Sequence, residues 1–257
     1  LQVLVGGGPG RVARSQAKAL NRAPPLNSQD RTIAIVRSPG AALADCELTH
    51  LDRIRIDATL AAEQHAAYAR ILGEAGLEVL TLEPLEGFPD ACFVEDPAIA
   101  LPGRAVLTRP GAASRRGEVD ALGRVLQELV PVERVSFGSL DGGDVLQLPD
   151  RILVGLSTRT NAAGIESLAQ LSSRPVFGIP VRGALHLKTA MSWLRGDQVL
   201  ADPRALDVHA EGLEGLELVE ADPDEPAGAN VLKVSDQLVV SKAAPRTADR
   251  LQAMGLS

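Results

Sequence analysis

The stretch LDGGDVLQLPDRILVGLSTRTNAAGIESLAQ, residues 140–170, contains the structural unit that decides the fold. Within it, two β-prone runs at residues 144–148 and 152–156 flank a turn at residues 149–150, which predicts a β-hairpin. A helix is predicted to begin near Asn161, soon after the second run. The stretch therefore predicts a hairpin followed by a helix.

The same order of elements recurs along the chain with a period of roughly 40 to 50 residues, which is typical of repeat architectures. The other predicted strands are residues 32–36, 78–82, 92–101, 105–108, 132–137, 190–194, 198–201, 231–234 and 238–240. The other predicted helices begin at Asp57, at Ser114, after Pro203 and at Pro245. We therefore predict one α/β domain built from recurring modules over residues 29–257.

The two ends of the sequence differ from this regular part. Residues 1–28 are basic, contain no acidic residue and are punctuated by Gly and Pro. We interpret them as an extraneous or flexible lead-in: a transit peptide, a vector-derived segment or a wrongly assigned start. A secretory signal is disfavoured because the apolar run at residues 1–5 is too short. At the other end, residues 256–257 resemble the start of a strand, so the last module is expected to be truncated.

The composition is that of an ordinary globular protein and excludes several classes of function. Hydrophobic residues make up 45% of the chain, charged residues 23% and aromatic residues only 2%, so Ala, Leu and Val must fill the core. The net charge of −7 argues against a nucleic-acid-binding protein and favours a cationic substrate. No apolar run is long enough to span a bilayer, and two cysteines cannot build a disulfide framework, so we expect a cytoplasmic protein.

Three acidic residues, Asp90, Glu95 and Asp96, lie in the segment PDACFVEDPAIA, residues 89–100, which has the pattern of a largely buried strand. Carboxylates in such a strand cost free energy unless they meet a cation or several hydrogen-bond donors. One interpretation is a carboxylate cluster that holds a guanidinium group, whose planar fork suits carboxylates. The alternative is that the acids lie at the strand end and point into solvent.

A second group of candidates combines an acid with a histidine. The segment LDGGDVL, residues 140–146, contains Asp141 and Asp144, and an acid there could orient a histidine as in triad-type sites. The alternative is a plain turn, because Asp-Gly-Gly is common turn chemistry. Of the four histidines, His186 is the one in a β-like segment with a nearby lysine, although a structural role among its apolar neighbours is the alternative.

Two arginines are further candidates. Arg109 and Arg159 each follow a predicted strand directly, where loops commonly carry function. Together they could bind the α-carboxylate of an amino-acid substrate. The alternative is solvation at the surface, which is the usual fate of arginine.

Metal and phosphate sites are disfavoured. The sequence contains no CxxC, no HExxH and no cluster of His and Cys. The run GGGPG at residues 6–10 lacks the Lys-Ser/Thr that completes a phosphate-binding loop. We therefore expect no metal.

In order along the chain, several segments resemble those of the dimethylarginine dimethylaminohydrolases, a family of the guanidine-modifying pentein superfamily. The segments are PDACFVEDPAIA, LTRPGAASRRGEV, LDGGDVL, VGLSTRTNAAG, LHLKT, GANVL and the Pro-Arg-Thr of the last helix. The resemblance implies the pentein α/β-propeller, in which five ββαβ-type modules surround a pseudo-fivefold axis and the site lies in the central channel.

The resemblance also implies roles for the candidate residues. His186 would be the general acid/base, oriented by Asp141. The three acids would engage the guanidinium and amino-acid parts of the substrate, the two arginines its carboxylate, and a leucine of a lid loop at residues 38–48 would also contact it. These substrate-binding residues would be Leu48, Asp90, Glu95, Asp96, Arg109 and Arg159.

The activity implied is hydrolysis of asymmetric dimethyl- or monomethyl-L-arginine to L-citrulline and an alkylamine by covalent thiol catalysis, without a metal or organic cofactor. The family's nucleophilic cysteine would lie beyond residue 257, and neither Cys46 nor Cys92 matches its position. The nucleophile is therefore expected to be absent from this chain. The expected partner is the small-molecule substrate, with no nucleic acid or membrane, and a homodimer is the assembly left open.

Two alternatives stay open. One is another pentein activity on arginine or a related guanidine, such as a deiminase, although no inserted helical region is visible between residues 111 and 141. The other is a non-catalytic guanidine-binding protein, which the missing cysteine would suit.

Overall fold

The computed structural model describes residues 3–6, 32–47, 56–225 and 227–256, which form two compact units. The first unit consists of residues 3–6, 32–47, 56–108 and 114–134. The second consists of residues 109–113, 135–225 and 227–256. A single domain over residues 29–257 stays a prediction.

The first unit begins with a three-stranded sheet and a helix. Its elements are strand β1 Val3–Gly6, strand β2 Thr32–Arg37, helix α1 Ala58–Glu74 and strand β3 Glu78–Leu82. β2 pairs antiparallel with β1 and parallel with β3. β1 falls in the segment predicted to be a lead-in, whose other residues lie outside the described ones. The predicted cap of α1 is confirmed, because the Asp57 carboxylate accepts hydrogen bonds from the backbone N–H groups of Thr59 and Leu60.

A second three-stranded sheet completes the first unit. Its elements are strand β4 Ala98–Leu101, strand β5 Arg104–Leu107, helix α2 Glu118–Gln127 and strand β6 Val132–Arg134. β4 and β5 form the predicted hairpin, and β6 pairs parallel with β5. Val119, Leu122 and Leu126 are buried on one face of α2 and share a core with Ile35 of β2. This core supports the turns that lead into β4.

The strand predicted over residues 92–101 is wrong in its first half. Only β4 is a strand, and residues 89–97 form turns. Phe93, expected to be buried, is 38% exposed. The turns are stabilised by the Arg115 side chain, which donates to two of their backbone carbonyls. A contact from so far along the chain cannot be detected in the local pattern.

The predicted start of α2 at Ser114 is also wrong, because the helix begins at Glu118 after Gly117. Residues Ala113–Arg115 form a separate 3₁₀ turn, which ends with the Arg115 side chain buried. The aromatic ring of Phe88 lies so close to Gly117 that a Cβ there would be 2.4 Å from it. A larger residue where the chain enters α2 would therefore have to displace the Phe88 ring.

In the described residues, the second unit contains three sheets. The strands of the first two sheets are β7 Val145–Gln147, β8 Ile152–Leu156, β9 Val176–Pro180, β10 Met191–Arg195, β11 Gln198–Ala201 and β12 Glu217–Glu220. The third sheet consists of β13 Leu232–Val234 and β14 Gln237–Val239, and the helices are α3 Ala162–Ala169, α4 Leu187–Ala190 and α5 Pro245–Ala253. The predicted hairpins β7–β8, β10–β11 and β13–β14 are confirmed. β9 and β12 pair parallel with β8 and β11.

Two local predictions in the second unit are wrong. The helix expected after Pro203 is not formed, because residues 203–216 are turns tied to a neighbouring segment. Leu206 forms a bridge with Val181, and the Arg182 N–H donates to the Ala205 carbonyl at 2.8 Å. His186 was expected in a β-like segment, but its extended backbone immediately precedes α4.

One arrangement recurs in both units. An antiparallel pair is followed by a strand that pairs parallel with its second member, as in β4–β5–β6, β7–β8–β9 and β10–β11–β12. The predicted α/β class is therefore confirmed, whereas the five-module propeller stays a prediction. Among the described helices, none combines the length and the apolar character needed to cross a membrane.

Replacing Asp57 by Ala should lower the free energy of unfolding by about 1 kcal/mol, because the first turn of α1 loses its side-chain acceptor. Urea denaturation measures the change. Asp57→Asn is the matched control, since its amide oxygen can still accept these bonds, and it should retain most of the stability. Equal losses in the two variants would show that charge, and not capping, matters here.

Candidate functional site

In the first unit, the turns at residues 89–97 bury two of the predicted acidic residues. Asp90 is 6% exposed and Asp96 is 3% exposed. Both carboxylate oxygens of Asp90 accept hydrogen bonds from the backbone N–H of Glu47, at 3.1 and 3.3 Å. The Asp96 carboxylate binds the guanidinium of Arg115. These donors compensate the two carboxylates for the hydration they lose on burial.

Arg115 is the cation at the centre of this group and is itself only 4% exposed. Besides Asp96, its guanidinium binds both carboxylate oxygens of Glu118, through Nε at 3.0 Å and Nη2 at 2.8 Å. Nη2 also donates to the backbone carbonyls of Asp90 and Phe93, at 3.1 and 3.2 Å. Burial acts to lower the pKa of Arg115, but the charges of Asp96 and Glu118 raise it overall. We call Asp90, Asp96, Arg115 and Glu118 the acid–arginine cluster.

Glu95, the third predicted acid, is half-buried. Its charge acts on Tyr68 of α1: burial first, and then the charge of Glu95, raise the pKa of that phenol. Tyr68 is therefore protonated at physiological pH, so it can donate a hydrogen bond but carries no charge.

In the second unit, His186 and Asp141 form a buried pair. His186 Nε2 lies 3.1 Å from Asp141 Oδ2, and His186 is 7% exposed whereas Asp141 is completely buried. When Asp141 is ionised, Nε2 carries the ring proton and donates it, so Nδ1 is the nitrogen that can accept or release a proton. A histidine held in one tautomer in this way is suited to general acid–base catalysis.

A short segment at residues 109–111 holds Asp141 in place. The Gly111 N–H donates to Asp141 Oδ1 at 2.8 Å, and the Leu140 N–H donates to the Arg109 carbonyl at 2.8 Å. The Arg109 side chain is exposed, and its Nη1 donates to the Gly138 carbonyl at 2.8 Å. Arg109 therefore helps to fix the loop that leads to Asp141.

Arg159, the second predicted arginine, is buried, with 7% of its surface exposed. Its backbone N–H donates to Ser157 Oγ at 3.0 Å. Its carbonyl lies so close to Gly111 that a Cβ there would be 2.3 Å from the oxygen. Arg109 and Arg159 thus both belong to the second unit, one exposed and one buried.

The predicted lid is described only in part. Leu48 lies outside the described residues, whereas residues 38–47 contain a 3₁₀ turn at Ala41–Asp45. Leu43 and Cys46 are buried, and the Glu47 N–H is the donor to Asp90. The contact of Leu48 with a substrate stays a prediction.

The two cysteines are poorly suited to nucleophilic attack. Cys46 is buried and Cys92 is half-buried. Burial raises the pKa of the Cys92 thiol to about 11. At neutral pH Cys92 is therefore a thiol and not the thiolate that acts as a nucleophile.

Sequence reasoning missed Arg115 and Glu118. Their spacing of three residues is the separation at which helical side chains pair, and this could have indicated an ion pair. Asp144 lies in the same glycine turn as Asp141, and the resemblance assigns the orienting role to Asp141 alone. Complete burial distinguishes Asp144 from an ordinary turn acid in solvent, and burial of a single residue is not visible in the sequence.

Over residues 84–236 the sequence matches the family model of arginine deiminase. The N(G),N(G)-dimethylarginine dimethylaminohydrolase of Streptomyces coelicolor is 38% identical over 228 residues, which are 86% of each chain. The protein of the same name from Pseudomonas aeruginosa is 34% identical over 227 residues, covering 86% of this chain and 88% of the relative.

A solved structure is also similar to this chain. It is the Pseudomonas aeruginosa enzyme, as a cysteine-to-serine variant complexed with citrulline, and it superposes with a TM-score of 0.81 at 31% identity. The superposition covers 87% of this chain and 89% of the other. The likeness therefore extends over most of both chains.

Replacing Arg115 by Met should lower the free energy of unfolding by about 3 kcal/mol or more, because it leaves buried carboxylates without their cation. Arg134→Met is the matched control: it breaks a 2.7 Å ion pair with Asp120 whose side chains are both exposed, and should cost less than about 1 kcal/mol. Chemical denaturation compares the two. Similar losses would contradict the importance assigned to the acid–arginine cluster.

Alkylation of Cys92 by iodoacetamide should accelerate by about tenfold for each pH unit between pH 7 and 10, because its thiolate fraction rises over that whole range. A Cys46→Ala variant confines the reaction to Cys92, and mass spectrometry follows it. Free cysteine is the control and should reach its plateau near pH 9. A plateau for Cys92 at the same pH would refute the raised pKa.

Proposed function

This chain belongs to the arginine deiminase family and, within it, to the dimethylarginine dimethylaminohydrolases of the pentein superfamily, and on that premise we propose that it hydrolyses methylated L-arginine. The family makes it a hydrolase of guanidino carbon–nitrogen bonds. The products of the proposed reaction are L-citrulline and methylamine or dimethylamine. The relatives at 38% and 34% identity and the citrulline-bound structure support this choice of substrate.

The observation that carries the proposal is the buried pair of His186 and Asp141. An ionised Asp141 fixes the tautomer and orientation of the imidazole, and it stabilises the imidazolium that forms when His186 takes up a proton. Hydrolysis of a guanidine needs such a group, because an amine is a poor leaving group unless it is protonated. We therefore assign the general acid/base role to His186 and its orientation to Asp141.

The proposed reaction is covalent and has two steps. A cysteine thiolate adds to the guanidino carbon, and the bond to the methylated nitrogen breaks as His186 supplies a proton to the departing amine. Water then adds to the carbon of the S-alkylthiouronium intermediate and gives a proton to His186, and cleavage of the C–S bond releases citrulline. We assign the thiolate to neither Cys46 nor Cys92, since Cys92 has a raised pKa and Cys46 is buried. No metal or organic cofactor is required.

Recognition of the substrate is assigned to the remaining candidates. We propose that the acids engage the guanidinium and amino-acid groups and that the arginines bind the α-carboxylate, as charge complementarity favours. The acid–arginine cluster supports the first part, because these turns already hold one guanidinium, that of Arg115, through Asp96. The assigned residues are Leu48, Asp90, Glu95, Asp96, Arg109 and Arg159. The cytoplasmic location and a homodimer stay predictions.

Two other functions have an observation in their favour. The matching family model is that of arginine deiminase, which favours unmethylated arginine as the substrate. The high pKa of Cys92 favours a protein that binds a guanidine without cleaving it. Methylated and unmethylated arginine can be compared directly as substrates, and as ligands by calorimetry.

The test measures citrulline release from asymmetric dimethylarginine. It compares the chain itself with a version extended after residue 257 by the carboxyl-terminal segment of the Streptomyces coelicolor relative. We expect both to bind the substrate and the extended version to release citrulline. His186→Ala should lower its kcat by about 100-fold or more. His209→Ala changes an exposed histidine and should have no effect.

Binding without release in both versions would overturn the hydrolase proposal in favour of the guanidine-binding alternative. A higher kcat/KM for L-arginine than for its methylated forms would favour the deiminase. Release that survives His186→Ala would refute the role of the buried pair.

A further inference from the structure

In the second unit, the carboxylate of Asp144 is linked to both members of the His186–Asp141 pair. It accepts from the backbone N–H that follows His186 and from a hydroxyl that is bonded to the backbone of Asp141. Asp144 is completely buried and touches neither imidazole nitrogen in the described contacts. We propose that Asp144 is a positioning residue that fixes the relative placement of His186 and Asp141. The catalytic meaning of this inference rests on the function proposed for His186, but its geometry does not.

On the histidine side, Asp144 fixes the backbone directly. Its Oδ1 accepts a hydrogen bond from the N–H of Leu187 at 2.8 Å, and Leu187 immediately follows His186. The Leu187 side chain is completely buried in the core of the second unit, together with Met191. The peptide that carries His186 is therefore held between a buried carboxylate and an apolar core, which limits the positions its imidazole can take.

On the aspartate side, Asp144 acts through a hydroxyl. Its Oδ2 accepts from Thr160 Oγ1 at 2.7 Å, and Thr160 Oγ1 in turn accepts from the backbone N–H of Asp141 at 3.1 Å. A threonine hydroxyl has one hydrogen to donate. When Asp144 is ionised its carboxylate is an acceptor only, so the Thr160 hydrogen points to Asp144. The lone pairs of Thr160 must then face Asp141, so the direction of this chain of bonds is set.

A second hydroxyl, that of Ser157, strengthens the arrangement. Ser157 Oγ donates to Asp144 Oδ2 at 2.7 Å and accepts from the backbone N–H groups of Arg159 and Thr160, at 3.0 and 3.2 Å. The loop that follows β8 is therefore ordered around the same carboxylate. Because Thr160 belongs to this loop, the Ser157 bonds also support the contact with Asp141.

The fold provides space for this carboxylate by means of a glycine. A Cβ at Gly155 would lie 2.4 Å from Asp144 Oδ1 and 2.9 Å from the Leu187 Cβ. Burial raises the pKa of Asp144, whereas the charge of His186 and the hydrogen bonds from Ser157, Thr160 and Leu187 lower it. An acid retained at such a site has a desolvation cost that these three donors and the charge of His186 offset.

The test observes the histidine and not the activity. The chain is labelled with ¹⁵N in its histidine rings, and a long-range ¹H–¹⁵N spectrum gives the tautomer of each neutral imidazole. His186→Gln assigns the signal. In the unaltered chain, we expect His186 to be protonated at Nε2, whereas exposed His209 should show a mixture of tautomers.

Thr160→Val keeps the shape of the side chain but removes the hydroxyl, so it breaks the link between Asp144 and Asp141. We expect the ratio of Nε2-protonated to Nδ1-protonated His186 to fall by about fivefold, a change that weakening of one hydrogen bond can produce. Thr160→Ser restores a hydroxyl and should restore the original ratio. A merely structural role for Asp144 would lower stability in Thr160→Val without moving this ratio.

Asp144→Asn and Gly155→Ala perturb the same carboxylate by loss of charge and by steric contact, and each should change the ratio in the same direction. If either variant fails to fold, the two Thr160 variants still decide the question. A His186 tautomer ratio that is unchanged in folded Thr160→Val would overturn the inference. Because the spectrum needs no turnover, citrulline release that survives His186→Ala would refute the proposed function while leaving this measurement valid.

Discussion

A carboxylate that leaves water must find its hydrogen-bond donors within the protein, and both units are organised by this requirement. In the first unit the donors of Asp96 and Glu118 come from one guanidinium, that of Arg115, which also binds the carbonyls of the turns. In the second unit the donors of Asp144 are two hydroxyls and a backbone N–H. The loops that carry the candidate residues are ordered because buried acids need these partners.

The two solutions differ in physical character. A guanidinium brings a full charge and five donors in one plane, so it can hold several acceptors at once and is insensitive to pH. Hydroxyls and backbone N–H groups carry no net charge. They therefore fix the directions of the hydrogen bonds to the carboxylate but do not neutralise its charge. The second arrangement suits the acid/base role proposed for His186, because the described contacts of Asp144 include no permanent cation that would oppose the imidazolium.

Much of the fold could be predicted from local sequence, because local interactions determine much of it. The cap at Asp57 and the hairpin at β7 and β8 follow from neighbouring residues alone. The turns at residues 89–97, in contrast, depend on Arg115, which is far along the chain. A periodicity rule interprets the apolar residues of that segment as a strand because it cannot detect the distant cation.

The candidate site could be predicted only in part for the same reason. Asp141 and His186 are candidates from the sequence itself, but their pairing follows only from the resemblance to a family, since 45 positions separate them and neither segment is distinctive by itself. The resemblance gives no role to Asp144 or Thr160, and turn acids and hydroxyls are common at the surface. What sets them apart is burial, which results from packing of the whole unit.

The suppressed acidity of Cys92 has a practical consequence for the study of this protein. A cysteine of ordinary acidity, with a pKa of about 8.5, is roughly 300 times more ionised at neutral pH than one with a pKa of about 11. Cys46, the other cysteine, is buried. A single cysteine introduced at an exposed position would therefore accept a fluorescent or spin label selectively, with both native thiols left in place. Motions of individual loops could then be followed in a chain whose own sulfur chemistry is intact.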